Sequence, residues 1–100
     1  MDNLNLIVEI EKAAHREPKS VEQQFLKLME EVGEAAQAYL SAENVSGNSY
    51  KKLNIDNTKE ELVDVLLVTY AVLVKLDISH AELIKLLKQK TDKWLEKQNN

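Results

Sequence analysis

Two groups of acidic residues, separated by a polar segment, are the part of the sequence best suited to chemistry. The first group places three glutamates within five residues, Glu30, Glu31 and Glu34. The second places Glu61 three residues before Asp64, at the start of the most hydrophobic run of the chain. On an α-helix, residues three apart lie one turn apart on adjacent sides, so both members of such a pair can reach one ion.

If the two pairs lie on facing helices, they present about four carboxylate oxygens and no thiolate or imidazole. This set of ligands suits Mg²⁺ or Mn²⁺ better than zinc or copper. Two simpler explanations stay open, because acidic residues at this spacing are commonly a solvated helix face and Asp64 could pair with a lysine. Asp64 lies within an apolar run, residues 62–68, where an unpaired buried carboxylate costs on the order of several kcal/mol. We therefore expect Asp64 to be buried beside a cation.

Gly33 lies inside the first acidic group. A glycine in the middle of a helix is less favourable than alanine by about 1 kcal/mol. We therefore expect another helix or a ligand to approach the backbone closely at this position.

The remaining pattern indicates four helices and no strand. Apolar residues at helical spacing predict a first helix over residues 2–15, which ends near Glu17 because the residue before Pro18 disfavours helical geometry. The second helix is expected to reach about Ala42, followed by a loop over residues 41–55, and the third helix is expected to reach about Leu76. Capping boxes predict the starts of helices two, three and four at Ser20, Thr58 and Ser79.

These helices predict an all-α fold, a four-helix bundle in a single domain spanning residues 1–100. Short connections suggest that helices one and two are antiparallel neighbours, and that helices three and four are as well. The third helix is apolar on nearly every side. A chain of 100 residues offers too few neighbours to cover it. We expect a second copy to complete the core, so that the protein is a homo-oligomer, a dimer or a tetramer.

Composition excludes several classes of function. A net charge of −4 and a single arginine, Arg16, argue against binding to a nucleic acid polymer. The absence of cysteine excludes a disulfide framework and a zinc–thiolate site. No secretory signal is recognised at the N-terminus, and the longest apolar run is too short to span a membrane. We expect a cytoplasmic protein without a membrane partner.

The acidic groups and their surroundings resemble a known family. Glu30-Glu31-Val32-Gly33-Glu34 followed by Glu61-Leu62-Val63-Asp64 resembles the EExxE…ExxD signature of the MazG-like, all-α nucleoside triphosphate pyrophosphohydrolases. The resemblance covers roughly residues 20–95. It implies a MazG-like helical domain, subunits that share a core, and Mg²⁺-dependent cleavage of the α–β bond of an NTP or dNTP to a monophosphate and pyrophosphate.

The resemblance also implies roles for individual residues. Glu31, Glu34, Glu61 and Asp64 would be the metal ligands, and Glu30 and Glu31 the catalytic residues, with Glu30 a further ligand or the base that orients the attacking water. Further candidates for substrate contact are Gln24, Lys27, Tyr70, Lys90, Lys93 and Trp94. The first two lie on the same side of helix two as Glu31, and the aromatic pair could stack on a base.

Two alternatives stay open from the sequence. One is a non-catalytic helical module that dimerises through the third helix and regulates a partner. The other is a phosphoribosyl-ATP pyrophosphohydrolase, which shares the helical core of the superfamily. The sequence does not specify the base, the sugar, the number of metal ions or the pathway, and removal of non-canonical nucleotides is one role that the resemblance suggests.

Overall fold

The computed structural model describes residues 3–43 and 54–99. Its helices are α1 (Asn3–Arg16), α2 (Val21–Ala42), α3 (Ile55–Lys75) and α4 (His80–Gln98). The all-α prediction is confirmed, and the ends of α1, α2 and α3 lie within one residue of the predicted positions. The predicted loop over residues 41–55 lies mostly outside the described residues, which stop at Glu43 and resume at Asn54.

Side-chain caps explain where the helices begin. The Gln23 backbone N–H donates to Ser20 Oγ at 3.2 Å, and the Ser20 N–H donates to Gln23 Oε1 at 2.9 Å. This reciprocal pair is the predicted capping box of α2. At the start of α4 the Glu82 N–H donates to Ser79 Oγ at 3.1 Å. The predicted starts of α2 and α4 are therefore confirmed.

The predicted start of α3 at Thr58 is wrong, since the helix begins one turn earlier. Asn54 is the N-cap: the Asn57 N–H donates to Asn54 Oδ1 and the Asn54 N–H to Asn57 Oδ1, each at 3.0 Å. Asparagine satisfies the free N–H groups of the first turn as well as serine or threonine does. Thr58 is therefore an internal helical residue, whose hydroxyl donates to the Asn54 carbonyl at 3.4 Å.

A left-handed residue ends α3. Asp77 has a φ of 62°, and its N–H donates to the Val74 carbonyl at 2.9 Å, while the Ile78 N–H donates to the Leu73 carbonyl at 3.1 Å. These two bonds form a Schellman motif, which satisfies the last carbonyls of the helix and reverses the chain. The turn directs α4 away from α3.

Helices α2 and α3 form the centre of the fold and pack against each other along much of their length. They are antiparallel: Tyr39 near the end of α2 lies by Thr58 near the start of α3. At the other end, Gln24 lies by Ala71. The middle of α2, which carries the first acidic group, therefore lies opposite the first half of α3, which carries the second.

The predicted antiparallel neighbours are wrong. In the described part of the chain α1 packs on α3 rather than on α2, and α4 packs lengthwise on no helix. The first turn of α4 approaches α1, where His80 Nε2 and Glu11 Oε2 lie 2.8 Å apart. A short connection limits where a helix begins, but which neighbour it packs on depends on which apolar face is available.

The core of a single chain is thin. Its buried apolar side chains are small or β-branched: Ala14, Ala35, Ala38, Val72 and Val74. Many large apolar side chains are exposed instead, including Leu62, Val63, Leu66 and Leu67 of α3, which we expected several neighbours to cover. Their burial by a second copy stays a prediction. None of the described helices combines the length and the apolar character that crossing a bilayer requires.

Candidate metal centre

Glu31 lies at the centre of the acidic cluster. It projects from α2 towards α3 and is only 6% exposed. Lys27, one turn earlier on the same helix, donates from Nζ to Glu31 Oε1 at 2.8 Å and lies 3.8 Å from Glu30 Oε1. The hydrogen bond to Glu31, with the charges of Glu31 and Glu30, raises the pKa of Lys27. The ammonium therefore stays charged and holds one Glu31 oxygen in place.

The acidic pairs of the two helices meet at Glu31. Carboxylate oxygens of Glu31, Glu61 and Asp64 lie within 4.8 Å of one another, and so do oxygens of Glu30, Glu31 and Glu34. Glu31 belongs to both groups and joins them across the α2–α3 interface. The described structure therefore contains a cluster of five carboxylates, contributed by two helices, around one buried glutamate.

Two oxygens of this cluster have no partner among the described residues. Glu31 Oε2 and Glu61 Oε2 are both buried and accept no hydrogen bond. A buried carboxylate oxygen without a donor or cation is costly, and neighbouring carboxylates add to the cost. These oxygens fit the requirements of a divalent cation, which prefers carboxylate ligands and would supply the missing positive charge.

Repulsion within the cluster also affects the pKa of Glu34. Partial desolvation raises the pKa of this carboxyl, and so do the charges of Glu31, Glu61 and Glu30 and a side-chain hydrogen bond with Glu61. Every one of these causes favours the protonated form. A bound dication would act in the opposite direction, because it favours the ionised form of each ligand.

The structure corrects which carboxylate is buried. We expected Asp64 to be buried, but it is exposed in the single chain, and Glu31 is the buried acid. The lysine partner considered for Asp64 is found on Glu31 instead. Asp64 lies in an apolar run, yet within one chain that part of α3 is covered on one side only. Position in a hydrophobic run therefore did not determine burial.

Residues 7–91 match the family model described as phosphoribosyl-ATP pyrophosphohydrolase. The chain belongs to the phosphoribosyl-ATP pyrophosphohydrolase family. This family is one of the MazG-like, all-α pyrophosphohydrolases, so the resemblance noted in the acidic motifs is confirmed. No curated protein and no solved structure matches the chain.

Membership in the phosphoribosyl-ATP pyrophosphohydrolase family indicates a pyrophosphohydrolase, an enzyme that hydrolyses a phosphoanhydride bond of a nucleotide. The family is typically metal-dependent, which agrees with the cluster of carboxylates. The matched range includes both acidic motifs, α2 and α3. The roles of individual residues are not decided by the match and stay predictions.

The other predicted substrate residues are divided between three places. Lys27 is hydrogen-bonded to Glu31 of the cluster, and Gln24 lines a cavity together with Lys27. Tyr70 lines a different, apolar cavity of about 320 Å³ between α1, α3 and α4. Lys90, Lys93 and Trp94 are exposed on α4 and are not brought to the carboxylates within one chain. The structure thus groups only the first pair with the acidic site.

Residues of α1 that line the cavity beside Gln24, among them Ile10 and Ala13, were not identified from the sequence. They form part of an ordinary amphipathic helix, and nothing in their types or spacing distinguishes them from core residues. Only the packing of α1 on α3 places them next to the site.

Gly33 lies in open space in the described structure. A Cβ added at this position would meet no heavy atom within 4 Å, so the expected close approach does not come from residues 3–43 or 54–99 of the same chain. Gly33→Ala should therefore increase the free energy of unfolding by about 1 kcal/mol, because alanine is the better helix former. Urea denaturation of both proteins would measure this difference. A loss of stability would instead indicate that a second copy packs against the backbone there.

Proposed function

We propose that this chain is a Mg²⁺-dependent nucleotide pyrophosphohydrolase that cleaves a nucleoside or deoxynucleoside triphosphate to the monophosphate and pyrophosphate. The observation that supports the proposal best is the meeting of Glu31, Glu61 and Asp64 between two helices. Two oxygens of this cluster are buried and unpaired. Among the described residues no cation contacts these two oxygens, so the site suits an added cation. The same ion would also neutralise part of the negative charge of a triphosphate.

Glu31 and Glu34 from α2 and Glu61 and Asp64 from α3 would hold the ion, which is Mg²⁺, with Mn²⁺ a possible substitute. When bound, such an ion screens the charge of the triphosphate oxygens and lowers the pKa of a coordinated water. Glu30 has an oxygen within 4.8 Å of oxygens of Glu31 and Glu34. It is exposed, which suits a further ligand or a base that orients the attacking water and accepts its proton.

Lys27 has two roles in the proposed reaction. Its hydrogen bond keeps Glu31 Oε1 in a fixed position, so that the unpaired Oε2 is left for the ion. Its side chain is 40% exposed. Of the cations in the described residues, its ammonium lies nearest to the cluster, and it can also contact a phosphate oxygen. Positioning of this kind, together with charge stabilisation, supplies most of the catalysis in phosphoryl chemistry.

Assembly into a homo-oligomer, a dimer or a tetramer, is part of the proposal. Met29 on α2 and Leu66 on α3 are 71% and 69% exposed. They lie on the two helices that carry the carboxylates. An apolar surface of this kind is typical of an interface. A second copy packed on it would shield the site from water. The cytoplasmic location also stays a prediction.

A second candidate substrate is phosphoribosyl-ATP, which the family match over residues 7–91 favours. It carries the same triphosphate as ATP and differs at the base, which bears a second phosphorylated sugar. Both substrates would therefore use the same carboxylates, and only the site for the base distinguishes them. A role in removing non-canonical nucleotides is compatible with the first candidate.

A substrate panel tests the proposal. Pyrophosphate release would be measured with Mg²⁺ for the common and non-canonical NTPs and dNTPs and for phosphoribosyl-ATP, with the nucleotide product identified by chromatography. We expect equal amounts of pyrophosphate and nucleoside monophosphate from at least one of them. Turnover of phosphoribosyl-ATP alone would select the second candidate. Absence of turnover on the whole panel would contradict the proposal and favour a non-catalytic helical module.

A further inference from the structure

A cavity of about 500 Å³ lies between α1, α2 and α3, beside the carboxylate cluster. Its size is within the range of small-molecule sites, on the order of 300–1,000 Å³. The walls are mainly apolar: Ile10 and Ala14 come from α1, and Leu67 and Ala71 from α3. Such walls suit a flat, uncharged ring better than a charged group.

One polar side chain in this cavity lacks a partner. Gln24 on α2 is only 2% exposed, and its Nε2 is buried with no hydrogen-bond acceptor in the described part of the chain. Buried amide groups in folded proteins are nearly always paired, so an unpaired one calls for an explanation. A ligand with an acceptor atom on its edge would supply the missing partner.

The cavity lies in line with the carboxylates along α2. Gln24 precedes Glu31 by seven residues, two helical turns or about 10 Å along the axis. Lys27 lies between them, lines the cavity and donates to Glu31. A molecule whose flat end lies beside Gln24 can therefore extend past Lys27 towards the carboxylates.

The charged side chains at the lining of the cavity are balanced, with two lysines and two glutamates. Its two ammonium groups are both paired, Lys27 with Glu31 at 2.8 Å and Lys19 with Glu17 at 3.4 Å. The lining also holds two glutamates, Glu17, which is the partner of Lys19, and Glu9, which lies 3.9 Å from Lys12. The backbone N–H of Lys19 lowers the pKa of Glu17, so this acid is ionised at neutral pH. A neutral heterocycle suits this balanced and mainly apolar lining.

We propose that this cavity binds the base of the nucleotide and that Gln24 Nε2 donates a hydrogen bond to an acceptor on the base edge. Gln24 thereby determines which bases are preferred. This inference rests on the proposed pyrophosphohydrolase function and adds a specificity-determining residue to it.

Gln24→Leu tests the inference, because leucine fills a similar volume and cannot form the hydrogen bond. The full-length variant and native protein would be compared by kcat/KM for pyrophosphate release over the nucleotide panel. We expect about a tenfold loss for the preferred base and a smaller loss for the others, so that their ranking changes. A purely structural role would lower all values by one factor. The matched control is Gln37→Leu, the same change at an exposed position of α2, which should keep the native ranking.

Binding of nucleoside monophosphates, measured by calorimetry, separates this inference from the proposed function. The monophosphates carry the base but no bond to hydrolyse. We expect native protein to bind one of them and Gln24→Leu to bind it about tenfold more weakly. That result would support the base site even if no triphosphate is hydrolysed. If native protein hydrolyses triphosphates and the variant keeps the same ratios between bases, the inference is overturned and the function stands. Absence of both binding and turnover in native protein overturns both.

Discussion

Asp64→Asn is expected to lower kcat for pyrophosphate release by about a hundredfold or more. The substitution keeps the size of the side chain and removes the negative charge from the group of three carboxylates at the α2–α3 interface. A neutral amide is a poor ligand for Mg²⁺ in a site that depends on charge. Steady-state assays at saturating Mg²⁺ and substrate would measure the loss.

Glu31→Gln should lose at least as much activity. Glu31 is the only residue that belongs to both groups of carboxylates identified in the described chain, so its removal separates the two. Lys27 would also lose its closest partner. An effect much smaller than that of Asp64→Asn would contradict the central position that we assign to Glu31.

The stability of Asp64→Asn should change in the opposite direction from its activity. Without metal, the carboxylates of Glu31, Glu61 and Asp64 repel one another at short range. Neutralising Asp64 relieves that repulsion, so thermal denaturation in the presence of a chelator should show Asp64→Asn to be at least as stable as native protein. If Asp64→Asn lost its activity because it unfolds, it would be less stable than native protein in this measurement. A substitution that lowers activity without lowering stability is typical of a residue retained for function rather than for stability.

Asp56→Asn is the matched control for both measurements. Asp56 lies on the same helix and is exposed, and its only ion pair in the described structure is with Lys59 at 3.9 Å. It belongs to neither group of carboxylates. The control should keep native turnover, and a comparable loss in it would show that the loss in Asp64→Asn is not specific to the cluster.

Removal of divalent metal is expected to abolish turnover, and addition of Mg²⁺ should restore it and raise the melting temperature. An ion that binds only the folded state stabilises it by about 2.7 kcal/mol at a hundredfold excess over Kd. For a domain of this size that corresponds to a rise of about 10 °C or more. The ion would bind the buried oxygens of Glu31 and Glu61 that have no partner among the described residues. Differential scanning fluorimetry with and without Mg²⁺ would measure the shift.

The same titration on variants locates the ion. Asp64→Asn should show a much smaller shift than native protein, whereas Asp56→Asn should show the full shift. Equal shifts in all three proteins would place the ion away from the acidic cluster. Full turnover in the presence of a chelator would contradict a metal-dependent reaction altogether.

Much of the local structure could be predicted from the sequence because it depends on short-range interactions. Ser20 and Ser79 cap their helices through side chains that reach only three residues along the chain. The three-residue offset between Glu61 and Asp64 follows from helix geometry alone. The error at Thr58 was also local, since Asn54 offered a competing cap one turn earlier.

The sequence by itself therefore determined four helices, two acidic motifs and the resemblance to a pyrophosphohydrolase family. The tertiary structure alone decided that Glu31 rather than Asp64 is buried, that α1 packs on α3, and that Gln24 faces a cavity next to the cluster. The physical reason is that α3 is apolar on nearly every side, so its residue pattern does not specify which side a neighbour covers. That choice depends on long-range packing, and it determines which polar groups are left without a partner.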